Sequence, residues 1–222
     1  MAKMKVSKFI EQLNKALTSH TVYGTGAFGA SIGNYPSQVQ RYYKNMYDAV
    51  YKQDIASGKS VDYAKKDAET WGQKVLTAAK NPPCWCFDCI GLVKGMLWGW
   101  DAVADDIYGG GKYESNGVPD FGTGVIDDCT DVSTDFSNIV PGELLWISGH
   151  VGVYIGDAYA IECMTGWDDK VQKTVVTNIR GVKTGEHGRK WTKHGKLPYV
   201  DYGEPVKLEI VCPCCGARFV KI

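Results

Sequence analysis

The sequence predicts an α+β fold, with helices in its first half and an antiparallel sheet in its second. Three observations predict it. Apolar residues recur at helical spacing up to about residue 100, a long glycine-containing stretch without any period follows, and after Pro141-Gly142 the period becomes two.

The elements follow in order. Ser7 is a candidate N-cap, and Phe9, Ile10, Leu13 and Leu17 mark a first helix that ends near His20. Thr21 to Asn34 holds Gly24, Gly26, Gly29 and Gly33, which predicts a loop lying close to a ligand rather than regular structure. A second helix starts after Pro36-Ser37 with Val39, Tyr42, Tyr43, Met46 and Val50. A third runs from about Val61 to Ala79, where Asn81-Pro82-Pro83 stops it. Both carry many charges and read as a surface insertion over about 37–83. Asp88 then stands where an N-cap belongs, and the apolar run from Cys89 to Trp100 predicts a buried helix. Beyond the irregular glycine region, Glu143 to Ser148, His150 to Ile155, Ala158 to Cys163 and Val171 to Ile179 read as strands. The second and third of these join at Gly156-Asp157 as a tight hairpin. One main domain over 1–203 and a cysteine-rich tail over 204–222 result.

Lysines and arginines number 25, matching 25 acidic residues, so no overall field points to nucleic acid or a polyanionic partner. No run approaches the roughly 20 apolar residues that cross a bilayer, and charges interrupt the first dozen residues, so neither an integral membrane segment nor a signal peptide is expected. Synthesis in the cytoplasm is the expectation. Eight cysteines crowd at 84, 86, 89 and 212, 214, 215, with Cys129 and Cys163 apart, which suits reduced thiols better than a disulfide scaffold. Cys212 and Cys215 form a C-x-x-C pair like one knuckle of a zinc ribbon, half of the four ligands a tetrahedral site takes.

A helix N-terminus favours negative charge, so a cysteine there is placed to act as a thiolate, and the same free N–H groups can receive an oxyanion. Cys89, directly after Asp88, has that position. Of four histidines, His150 alone lies in a strand-like run, where a sheet can hold an imidazole against a helix end. His20, His187 and His194 fall at a helix end or in polar loops. Glu162 lies twelve residues after His150 on the next strand and is the candidate to orient the ring. The hairpin decides this last point: an odd loop puts Glu162 on the His150 face, whereas a strict two-residue turn puts Cys163 there.

These residues resemble the NlpC-type cell-wall peptidases, a papain-like family. Asp88-Cys-Ile-Gly-Leu92 matches its nucleophile block and Gly149-His-Val-Gly152 its histidine strand, with Glu162 at the offset of its third polar residue. Pro141-Gly-Glu-Leu144 resembles its entry to the sheet, and Tyr23-Gly24 its tyrosine near the nucleophile. Ile90 replaces the usual serine, and Glu162 the usual His, Asn or Gln. The resemblance implies Cys89, His150 and Glu162 as catalytic residues, Tyr23 and Asp88 as substrate-binding residues, and peptidoglycan as partner. It also implies hydrolysis of a stem-peptide amide, typically after γ-D-glutamate, with no cofactor for catalysis and action on the cell wall, as in phage endolysins. Two alternatives stand beside it. An N-acetylmuramoyl-L-alanine amidase would use the same residues, and Cys86-Phe-Asp-Cys89 has the spacing of a thiol-disulfide oxidoreductase.

Overall fold

The computed structural model describes residues 2–203 and the backbone of two further strands, 208–211 and 218–221. Cys212 and Cys215, the candidate zinc pair, lie outside the described residues. The fold is α+β. Its elements are β1 (Met4–Lys5), α1 (Val6–Thr18), β2 (Thr21–Tyr23), β3 (Phe28–Ser31), α2 (Pro36–Ala56), α3 (Val61–Ala78), β4 (Trp85–Phe87) and α4 (Cys89–Leu97). They continue with β5 (Thr130–Ser133), β6 (Leu144–Ile147), β7 (His150–Gly156), β8 (Tyr159–Cys163) and β9 (Val171–Val176). Last come β10 (Gly188–Arg189), β11 (Lys193–Lys196), β12 (Val200–Asp201), β13 (Leu208–Val211) and β14 (Arg218–Lys221).

Helix starts follow local chemistry with one exception. Ser60 accepts the Tyr63 amide at 3.3 Å and opens α3, and Pro36 begins α2 where its missing N–H costs nothing. Ser7, however, lies inside α1. The start there is set by strand pairing, since Lys5 is held extended in parallel register with Asp201. Helices α2 and α3 lie along each other, and Gly72 lets the Tyr43 ring sit where a Cβ would be 2.7 Å away. Their inner face is not loose: Tyr42, Met46 and Val75 are buried with Val22, Ala30, Ile32, Cys84 and Cys86.

That cluster belongs to a three-stranded sheet ordered β2-β4-β3, formed where a glycine loop was expected. The glycines serve close approach within the protein instead. A Cβ on Gly24 would lie 2.2 Å from the Cys86 sulfur, and one on Gly29, whose φ is +109°, would lie 2.3 Å from the Trp100 ring.

The seven-stranded sheet runs β10-β9-β8-β7-β6-β11-β5, antiparallel except for β10 on β9. On one face Val151, Val153, Ile161 and Val171 meet Phe9 and Leu13 of α1 and Leu92, Val93 and Met96 of α4 in the main core. On the other face Leu145, Tyr154, Ala160 and Val176 gather with Phe136 and Trp191. Beyond the four expected strands the sheet contains β5, β10 and β11, short segments whose partners are distant in sequence.

The hairpin question has a definite answer. The turn is two residues, Asp157 and Ala158, both with positive φ (49° and 63°), as a type I′ connection needs. Gly156 pairs Tyr159, yet Tyr154 pairs Ala160, so Ile155 is a bulge that advances the register by one. Glu162 therefore shares the His150 face, and Cys163 turns to the α4 face, where its thiol donates to the Phe87 carbonyl at 3.3 Å.

Candidate active site

Cys89 is the first residue of α4 and only 9 % exposed. Asp88 caps the helix: Oδ1 accepts the Gly91 amide at 2.5 Å, and Oδ2 accepts the Gly26 amide at 2.7 Å, tying β3's approach to the helix start. Two glycines of the helix explain why it can sit there. A Cβ on Gly91 would be 1.8 Å from the Ala27 carbonyl oxygen, and one on Gly95 would be 2.5 Å from that of Phe28. The glycine spacing after Asp88-Cys89 is thus a packing requirement, since only a bare helix face can press against that backbone.

The backbone N–H groups of Val151, Ile90 and Cys89 itself favour a thiolate at Cys89. They do not prevail. Burial, then the neighbouring Asp88 charge, push the thiol up to about 11. Burial and the neighbouring capping acid thus work against the thiolate that the helix position favours. The Val151 amide also locates Cys89 at the first residues of β7, the strand that His150 begins.

His150 and Glu162 are brought together, with imidazole Nε2 and carboxylate Oε2 2.6 Å apart. Glu162 is fully buried and also accepts from Thr174 Oγ1 at 2.6 Å and from Arg189 Nε at 2.9 Å. Burial opposes its charge, but the His150 bond, the Arg189 charge and the Thr174 hydroxyl hold it below the ordinary glutamate value. An ionised Glu162 only accepts, so Nε2 carries the proton of the neutral ring and Nδ1 keeps its lone pair. The ring stacks on Trp191 at 5.6 Å and 15°. Gly152 makes room for that indole, which a Cβ would approach to 2.9 Å.

Tyr23 has its hydroxyl in the neighbourhood of Asp88 and Cys89, and burial, followed by those charges, raises it far above an ordinary phenol. It borders a cavity of about 250 Å³ with Thr25, Thr165 and, from α2 and α3, Asp54, Asp67 and Trp71. A larger cavity of about 520 Å³ at Met4, Lys8, Leu97 and Val118 includes none of the candidate residues. Asp88, expected to contact substrate, gives both carboxylate oxygens to backbone amides and acts here as a cap.

His194, expected in a polar loop, is buried in β11 instead. Its Nδ1 bonds Glu143 and its Nε2 lies 2.9 Å from the Asp135 carbonyl, which leaves neither nitrogen for a thiol. Cys86 is buried in the cluster of the small sheet and Cys89 in the main core, and the charges of both reach Cys163 and Tyr23. Both are free thiols. Sequence reasoning missed Arg189, Thr174 and Trp191. Period two places Thr174 on β9, but nothing local marks an arginine on a two-residue strand.

No family model matches the chain, and no curated protein matches it. Among the described residues no helix is long and apolar enough to cross a membrane, and no group of three or more His, Cys, Asp or Glu is placed to hold a metal ion.

Proposed function

We propose that this protein is a papain-like cysteine hydrolase of the NlpC type that cleaves an amide bond of the peptidoglycan stem peptide. The observation that carries the reading is the 2.6 Å contact of His150 with the buried Glu162, on the strand whose Val151 amide reaches Cys89 at a helix start. An oriented imidazole on a strand whose backbone amide reaches a thiol at a helix start supports a reading as equipment for acyl transfer.

The steps follow from the tautomer. As the Cys89 sulfur attacks the carbonyl carbon, its proton passes to Nδ1 of His150, and the oxyanion meets the amides at the start of α4. The imidazolium gives that proton to the leaving nitrogen as the C–N bond breaks, leaving a thioester. Water then attacks the thioester, its proton passing to Nδ1, and on collapse the proton returns to the sulfur. Glu162 remains ionised throughout and balances the imidazolium. The bond after γ-D-glutamate is the one the family resemblance favours.

The test uses purified cell walls. Cys89→Ser should retain the circular dichroism spectrum of the parent and release no soluble muropeptides. Normal digestion by that variant would end the proposal. Mass spectrometry of the fragments released by the parent names the bond, separating cleavage within the peptide from cleavage between muramic acid and L-alanine.

A further inference from the structure

The hydrolase reading leaves one charged group beside the site unassigned. Glu162 Oε2 receives two donors, His150 Nε2 at 2.6 Å and Arg189 Nε at 2.9 Å. Arg189 is held for this task. Its guanidinium lies 5.1 Å from the Trp167 ring and 5.4 Å from the Trp191 ring, and it also reaches the Met164 sulfur. Its backbone is fixed where Thr177 N–H donates to the Arg189 carbonyl at 2.9 Å. Trp191 therefore touches both donors to Glu162 Oε2, stacking on the imidazole and lying under the guanidinium.

Resting on the hydrolase reading, we propose that Arg189 is the positioning residue of this site: by sharing Glu162 Oε2 with His150 it makes the carboxylate part of a neutral pair, so the imidazole can release its proton as readily as it takes one. A buried carboxylate facing only His150 would hold the ring protonated, and an imidazolium held that firmly is a poor acid toward a leaving nitrogen. Guanidinium suits the role because it stays charged at any working pH and its planar fork stacks between indoles, which an ammonium cannot reproduce. Arg189 also accounts for the glutamate. Where the resembling family uses a neutral third residue, this chain reaches neutrality with a pair. The titratable groups that face that pair are His150 on β7 and Cys163 on β8, with Cys86, Asp88, Cys89 and Tyr23 beyond Cys163 and His187 stacked on Trp167 at 5.0 Å.

The test follows the His150 imidazole by nuclear magnetic resonance in the full chain carrying Cys89→Ala, with His150→Gln assigning the signal. Adding Arg189→Gln should raise the His150 titration midpoint by about one pH unit or more, the usual effect of losing a cation at this range. An unmoved or lowered midpoint in a folded variant overturns the proposal. If Arg189→Gln does not fold, Glu162→Gln and Glu162→Gln/Arg189→Gln carry the test. The double variant must show the higher midpoint, because the single one leaves an uncompensated guanidinium facing the site; equal midpoints overturn the proposal. In kinetics with Cys89 intact, the acid limb of kcat/KM should move up with Arg189→Gln and stay nearer the parent with Arg189→Lys. A residue that merely clamps the fold would lower activity equally at every pH. The titration needs no substrate, so failure to digest walls would count against the hydrolase reading and leave this measurement intact.

Discussion

Replacing Gly91 by alanine tests whether the nucleophile block is a packing device. In an open helix the change stabilises by about 1 kcal/mol, because alanine is the better helix former. Here the added Cβ would stand 1.8 Å from the Ala27 oxygen, 2.8 Å from the Ala27 carbonyl carbon and 2.8 Å from Asp88 Oδ1. None of these is the far end of a flexible side chain free to swing away, so the helix or β3 must shift. Overpacking of this kind costs about 1–3 kcal/mol, and a disturbed cap about 1 kcal/mol more. The net expectation is a loss of about 2 kcal/mol, or about 4–8 °C in Tm for a chain of this size. Differential scanning calorimetry measures it. Gly124→Ala is the control, since nothing lies within 4 Å of its Cβ position, and it should stay within about 0.5 kcal/mol of the parent. Because Gly91 lies two residues from Cys89, muropeptide release should fall further than in Gly95→Ala, whose clash is one turn away. A Gly91→Ala protein as stable as the parent, or more stable, would refute the packing argument.

Three further predictions concern the same region. A thiol at about 11 predicts that alkylation of Cys89 by iodoacetamide speeds up about tenfold per pH unit above neutrality; a rate already level at pH 7 would mean a preformed ion pair. Glu162 is held below its ordinary value, so its share of stability is present above the unfolded glutamate value near 4.3 and is lost as pH falls through the folded one. Stability against urea should then fall from pH 5 to pH 3 more steeply in the parent than in Glu162→Gln, and parallel curves would show that the carboxylate is not responsible. In the β7–β8 turn, Ala158 has φ 63°, which costs a non-glycine residue about 1 kcal/mol. Asp157→Asn/Ala158→Gly should raise Tm by about 2–4 °C, and a lowered Tm would speak against the turn type.

What the sequence disclosed follows from how local each signal is. The third helix is written in its apolar spacing and the Asn81-Pro82-Pro83 stop, and α4 in Asp88, because caps, stops and periods act over a few residues. The β2-β4-β3 sheet is not written that way. Thr21 pairs Trp85, sixty-four positions on, and strands buried on both sides show no alternation. Arg189 stayed hidden for the same reason, since its partner Glu162 is reached only once β10 pairs with β9 and β9 with β8.

The alignment of the candidate site depends on one residue that no pattern marks. Ile155 is apolar like the alternating residues around it, so its sequence neighbours do not reveal that it stands outside the ladder. Without the bulge, the same two-residue turn would put Cys163 on the His150 face and send Glu162 toward α4, where a carboxylate would meet Leu92 and Val93 instead of Thr174 and Arg189. Burial decides between these registers. A charged group facing that apolar helix would lack donors and cost several kcal/mol, whereas Cys163 is at home there as a small apolar residue. Deleting Ile155 should therefore keep both the turn and the glutamate, because Tyr154–Ala160 and Gly156–Tyr159 would then follow one another in a regular ladder and Glu162 would stay on the His150 face.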